Sequence, residues 1–221
     1  MKKNLLFLCL LVFCSLNFLG QTGKAPGVVH TPEQSAIHLP PQDAPAGSKI
    51  IYSNLGTASD LYTDTSSWRL AGPNNSLDPG SPQFVGMPFT PRSDAHVLEV
   101  RVAAQYRGTG ANQVNLNLYS DASGTPGTLL AGPVTVTDLP EAGTCCALAV
   151  ADFSPVAVSA GIQYWVVADT PLSGAGSDLS GEWAWVAKIG APEWALDIDN
   201  SGWSPAPSDA LPAGGVLGTI P

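Results

Sequence analysis

Positive charge is scarce in this 221-residue chain: nine Lys and Arg stand against 18 Asp and Glu, a net charge of −9 with neutral histidines. Few cations leave little with which to neutralise phosphates, so nucleic acid and anionic membrane surfaces are excluded as partners. The plain reading of the acidic surplus is solubility outside the cell, although scattered carboxylates can also draw Ca²⁺. Histidine is nearly lacking too. Of the three, His30 and His38 sit in a proline-rich stretch and His96 opens an apolar run, which lays out neither a Ser-His-Asp triad nor a His-rich metal site. No Gly-x-Ser-x-Gly elbow is present, and the glycines sit in turns rather than in a phosphate-binding loop. Glu182 and Glu193 can be posed as a glycosidase pair, but an acidic chain supplies two carboxylates by chance. The expectation is a protein that is not an enzyme. Charged residues make up only 12% of the chain and helical periodicity is almost absent, which disfavours a helical bundle.

What is abundant is turn chemistry and apolar alternation. Gly numbers 23 and Pro 20, while hydrophobic residues reach 44%, too many for a disordered chain. Lys2 and Lys3 precede the apolar run Leu5–Cys14, the pattern of a secretory signal peptide. Ser15 and Asn17 break that run, which is short for a membrane span. Small residues at Gly23 and Ala25 place cleavage near residue 25, with no membrane insertion afterwards. Phe13 stands where a lipoprotein signal before Cys14 would want a small residue. Residues 26–48, with Pro26, Pro32, Pro40, Pro41 and Pro45, read as an exposed linker. The folded domain is expected over 49–221.

Within it Val114, Leu116 and Leu118 alternate with Asn115 and Asn117, the period of a strand with one buried face. A decorated turn, Ser120 to Gly127, follows. The same style repeats at Ile50–Tyr52, Ser66–Leu70, Val134–Val136, Ala147–Val150, Val156–Val158, Trp183–Ala187 and Trp194–Ile198. Gln83–Phe89 reads as an edge strand because Pro88 cannot donate to a ladder. In His96–Ala103, Val100 and Val102 are expected inside with Glu99 and Arg101 outside. Gln163–Ala168 reads as a central strand. Short strands at this spacing predict an all-β fold, an antiparallel β-sandwich or jelly-roll-like single domain.

The order Ile51-Tyr52-Ser53-Asn54-Leu55-Gly56, Met87-Pro88-Phe89-Thr90-Pro91, Leu116–Asp121 with Gly124-Thr125-Pro126-Gly127, Gly161–Val167 and Gly202-Trp203 resembles the choice-of-anchor R family. The resemblance covers roughly Lys49 to the end and rests on strands and turns. It implies a bacterial exported β-rich domain at the cell surface, in the cell envelope or outside the cell, with no assigned catalysis. Many members carry a C-terminal sorting segment. Here the chain ends at Gly218-Thr219-Ile220-Pro221 without one, so free secretion is expected rather than anchoring.

Three constellations have functional readings beside plainer ones. Cys145 and Cys146 are adjacent and outlast signal removal. An oxidising exterior permits a bond between them. Neighbouring Cα atoms lie about 3.8 Å apart across a trans peptide, closer than the roughly 4.4 Å lower limit of usual disulfides. Such a bond is strained and forces a tight turn; it can serve as a ligand platform or, the favoured reading, only rigidify the turn after Gly143. A two-residue ring restricts little unfolded-chain entropy. Six tryptophans are many for this length. Trp183 and Trp185 share a strand face and, with Trp203, are the candidates for stacking on a glycan, while core filling is the plainer role. Asp197-Ile198-Asp199-Asn200-Ser201-Gly202 imitates the start of a calcium loop with Asp197 and Asp199 as ligands, yet Ser208 stands where the closing Glu belongs, and a hairpin turn explains the residues better. No cofactor is expected beyond this Ca²⁺ option. Asn74-Asn75-Ser76 is a glycosylation sequon by pattern. The sequence therefore reads as a non-enzymatic structural or interaction protein, with a glycan or an extracellular protein as partner; the alternative is a carbohydrate-binding module, calcium-assisted or not.

Overall fold

In a computed structural model the chain is described at residues 28–30, 47–56, 61–187, 193–206 and 210–221. The expected signal peptide, 1–25, lies outside the described residues. Among the described residues there are strands and turns but no helix, so none is long and apolar enough to cross a membrane. In chain order the strands are β1 (Val28–His30), β2 (Lys49–Ser53), β3 (Thr63–Ala71), β4 (Gln83–Phe89), β5 (Ala95–Val102), β6 (Ala104–Thr109), β7 (Gln113–Asp121) and β8 (Pro126–Thr137). They continue as β9 (Ala149–Val158), β10 (Tyr164–Asp169), β11 (Ser180–Ala187), β12 (Trp194–Ile198), β13 (Ser204–Ala206), β14 (Ala210–Pro212) and β15 (Gly214–Thr219).

Two antiparallel sheets pack into the expected sandwich. The smaller has the order β2-β15-β5-β9; the larger runs β14-β11-β3-β4-β10-β7-β8, with β1 on β3, β6 on β11, and β12 joining β4 to β13. Between them, Val85, Met87 and Phe89 of β4, Leu116 and Leu118 of β7 and Val166 of β10 form one cluster with Val97, Val100 and Val102 of β5 and Val216 of β15. Each such side chain contributes about 1.5–3 kcal/mol on full burial. β10 is central, paired with β4 and β7. One piece of the Pro-rich segment 26–48, Val28–His30, pairs with β3.

Several local expectations are corrected. β4 is an interior strand buried along its whole length. Its ladder to β12 ends at Gly86, so Pro88, opposite Trp165 of β10, has an unpaired flank for its missing N–H. Glu99 and Arg101 are buried rather than outward, and the Arg101 guanidinium donates to the Glu99 carboxylate, since buried charges need a partner. Asn115 and Asn117 are buried as well; their amides donate to Asp169 at 3.2 and 3.0 Å. The two runs around Ala149 and Val156 are one strand, β9. β15 is not readable from its glycines alone. Gly218 is required there: a Cβ would stand 1.9 Å from the His96 carbonyl of β5.

Candidate functional site

Trp194, Leu196 and Ile198 repeat every second residue along β12 and therefore share one face. Asp199 and Asn200 follow at φ 60° and 53°, the left-handed pair that closes a tight hairpin. Ser201 N–H donates to the Ile198 carbonyl at 3.2 Å, and the Ser81 hydroxyl holds the Asp199 carboxylate at 2.7 Å. The chain returns as β13, which sets Ser204 opposite Leu196 and Ala206 opposite Trp194. Between this hairpin and Trp68 of β3 lies a groove of about 510 Å³, lined by Trp68, Trp194, Leu196, Ile198, Ser201, Gly202, Ser204, Pro205 and Ala206.

The tryptophans of the groove are packed against one another. The Trp68 and Trp194 rings lie 3.9 Å apart at 33°, and Trp185 sets its edge to Trp68 at 5.3 Å and 75°. Trp68 is 5% exposed and Trp194 0%. Both indole N–H groups are buried and neither has a hydrogen-bond partner, although buried indoles usually find one. An unmet buried donor costs about 1–3 kcal/mol. Among the described residues the lining contains no ionisable side chain; what it presents is apolar surface and serine hydroxyls.

The residues singled out in the sequence do not converge on this groove. Trp183 is fully buried and donates to the Ala213 carbonyl at 2.8 Å; it is a core residue with no ring surface for a sugar. Trp185 is half-buried against Trp68. Trp203 packs on the other side of β12, with Trp165, Val167 and Ala195. Asp197 accepts from Gly202 N–H at 3.1 Å, and burial raises its carboxyl above the usual range. With Asp199 it shapes the hairpin, as the turn reading expects; among the described residues no three His, Cys, Asp or Glu gather into a metal-binding group.

Cys145 and Cys146 are disulfide-bonded to each other across a cis peptide, with Cα atoms 3.1 Å apart. They are 2% and 0% exposed and belong to the core, so they offer no platform to a ligand. Gln105, itself fully buried, donates to the Thr144 carbonyl at 2.9 Å and accepts from Gly143 N–H at 3.3 Å. The Tyr62 hydroxyl lies 3.0 and 2.9 Å from the carbonyls of Thr144 and Ala147. Glu182 is sealed in as well. Burial raises its carboxyl, against the pull of Arg107, whose guanidinium donates at 2.6 Å. Glu193 is exposed.

The sequence reading left Trp68 and Trp194 among the tryptophans expected mostly to fill the core, where both lie; it did not foresee the groove beside them. The alternation Trp194-x-Leu196-x-Ile198 before Asp199-Asn200 signals the hairpin; nothing in the sequence signals that two indole donors are left unpaired. Comparison with protein-family models and with curated proteins finds no match to this chain.

Proposed function

We propose that this is an exported, non-enzymatic β-sandwich protein of choice-of-anchor R type, with a structural or interaction role at the cell surface or outside the cell, and that it engages its partner through the tryptophan groove. The observation that carries this reading is the lining: apolar walls and serine hydroxyls, with no ionisable side chain among the described residues. Such a surface recognises but does not catalyse acid–base chemistry. The basic and apolar start of the chain supports export.

The test expresses the full chain in a bacterial host, locates it by fractionation, and measures binding and turnover on a panel of polysaccharides and extracellular proteins. Recovery outside the cytoplasm, with saturable binding and no turnover, is expected. Binding is expected to be lost in Ser204→Phe, which fills the groove from an exposed position on β13. Cytoplasmic retention or turnover would overturn the reading. A second reading, a carbohydrate-binding module assisted by Ca²⁺, draws on Trp185 and Trp203, both half-buried and so partly open to a sugar ring. It expects glycan binding to fall on Trp185→Ala and on chelation.

A further inference from the structure

β1 is tied to the sandwich by very little chain. It pairs antiparallel with β3, Val28 opposite Trp68, Val29 opposite Ser67 and His30 opposite Ser66. The other flank of that stretch of β3 is held by β11, which sets Ala184 opposite Ser67 and Trp183 opposite Trp68. β4 joins β3 only farther on, at Ala71 and Gln83. Among the described residues, β1 is therefore the strand seated on the second flank of Ser66–Trp68. A strand flank is a template for any extended chain that can reach it. The chain shown to fit this one is Val28–His30, and every copy of the protein carries it.

Two features make the strand exchangeable. Signal cleavage near residue 25, expected from the sequence, puts β1 within a few residues of a free end, so it can leave β3 without any other strand unpairing. Residues 31–48 then separate it from β2 and include Pro32, Pro40, Pro41 and Pro45. Fully extended, such a tether reaches about 55–60 Å. A folded domain of this size has a radius of gyration of about 16 Å, so the tether is long enough to seat β1 on a neighbouring copy. Pairing within a chain and between chains makes the same ladder bonds. The balance is set by concentration: the tether gives the chain's own strand an effective concentration on the order of mM, and crowding of copies shifts pairing between chains.

We infer that Val28–His30 is an exchangeable strand, which pairs with β3 of its own chain or with β3 of a second copy and so links copies together. This goes beyond the groove reading by adding a second copy of the chain as partner; it rests on export only for the free end of β1.

The test uses two variants of the full chain, exported and purified: His30→Cys, and Ser66→Cys carrying an affinity tag. Opposed Cα atoms of an antiparallel ladder lie about 4.5–5.5 Å apart, within disulfide range. Cys145 and Cys146 are buried and bonded to each other, so they do not compete. The two variants are mixed at increasing concentration in a glutathione redox buffer, and mixed-chain disulfides are read on a non-reducing gel. A His30→Cys/Ser66→Cys double variant is treated alone. The expected result is a mixed-chain dimer that accumulates with concentration. It should fall several-fold when the His30→Cys chain also carries Val28→Pro and Val29→Pro, which cannot donate to the ladder. The double variant should bond within the chain when dilute and between chains when concentrated. Bonding within the chain at every concentration, with no mixed dimer, would make β1 a fixed strand and overturn the inference. A mixed dimer undiminished by the two prolines would reduce it to random collision and overturn it too. No bond of either kind in the double variant would overturn the pairing itself. Each of these outcomes leaves the interaction reading to its own fractionation and binding panel.

Discussion

The sandwich treats its sealed tryptophans in two ways. Trp165 and Trp183 are bonded through their indole nitrogens, to Asp121 and to Ala213. Trp68 and Trp194 are as deeply buried and bonded to nothing. At Asp121 the provision is generous: burial pushes its carboxyl up, but donors on Trp165, Gly124 and Gln163 outweigh that and hold it below the usual range. A fold able to satisfy one pair so fully leaves the other pair unmet. Burial alone therefore does not decide whether a tryptophan's N–H is satisfied; the acceptors around it do.

The strongest way to break this comparison is to replace one tryptophan of each kind with phenylalanine. Trp183→Phe opens space in the core and gives up a hydrogen bond, a loss of about 3 kcal/mol. Trp194→Phe opens similar space but removes a donor that had no partner, so its cost should be smaller by roughly 1–2 kcal/mol. Urea unfolding followed by circular dichroism reads both midpoints. Equal costs would mean that the groove indoles are not unmet in solution.

Gln105 sharpens the same point with an amide. It is fully buried and bonded at both ends, to Thr144 and Gly143. Gln105→Leu keeps the bulk but strands a buried carbonyl and an N–H, so a loss of about 2 kcal/mol is expected. The urea midpoint again decides; a cost near zero would show that water replaces the amide.

How much of this was legible in the sequence depends on what each residue had to say locally. The alternation of Val114, Leu116 and Leu118 identifies β7 because the pleat imposes a period of two, and Asp199-Asn200 identifies its turn because few residues accept positive φ. Asn115 and Asn117 misled because polarity predicts exposure only where no partner waits on the next strand; Asp169 of β10 waits for both. Pro88 misled because a missing N–H excludes a ladder on one flank only. β15 stayed hidden because glycine has no pattern to show, and its close approach to β5 is a fact about β5. The groove was illegible for the same reason: Trp68 and Trp194 are distant in sequence, and a missing hydrogen bond belongs to neither.

Asp169 shows that having partners is not the same as being at ease. Burial pushes its carboxyl up to about 6, although the amides of Asn115 and Asn117 pull the other way. In the unfolded chain an aspartate ionises near about 4. Between those pH values the folded protein keeps a proton that the unfolded chain releases, so this contribution to stability is full below about pH 4 and is lost as pH rises towards about 6. Asp169→Asn should flatten that part of the stability profile and stabilise the protein at pH 7 by on the order of 1–2 kcal/mol. Urea midpoints between pH 4 and 7 test it; an unchanged slope would place the titration elsewhere.

The smallest effect is expected where the covalent chemistry is most conspicuous. The Cys145–Cys146 bond closes a ring between sequence neighbours, and so small a loop removes little freedom from the unfolded chain. The turn around it is already held by Gln105 and by the Tyr62 hydroxyl, through the carbonyls of Thr144 and Ala147. Replacing both cysteines with serine would confound this by burying new hydroxyls, so Cys145→Ala/Cys146→Ala is the cleaner variant. It should cost less than Gln105→Leu, about 1 kcal/mol or under, most of it from lost sulfur packing. If the double variant instead costs more than Gln105→Leu, the disulfide and not the polar network holds this turn, and hydrogen-bond satisfaction no longer explains why this region differs from the groove.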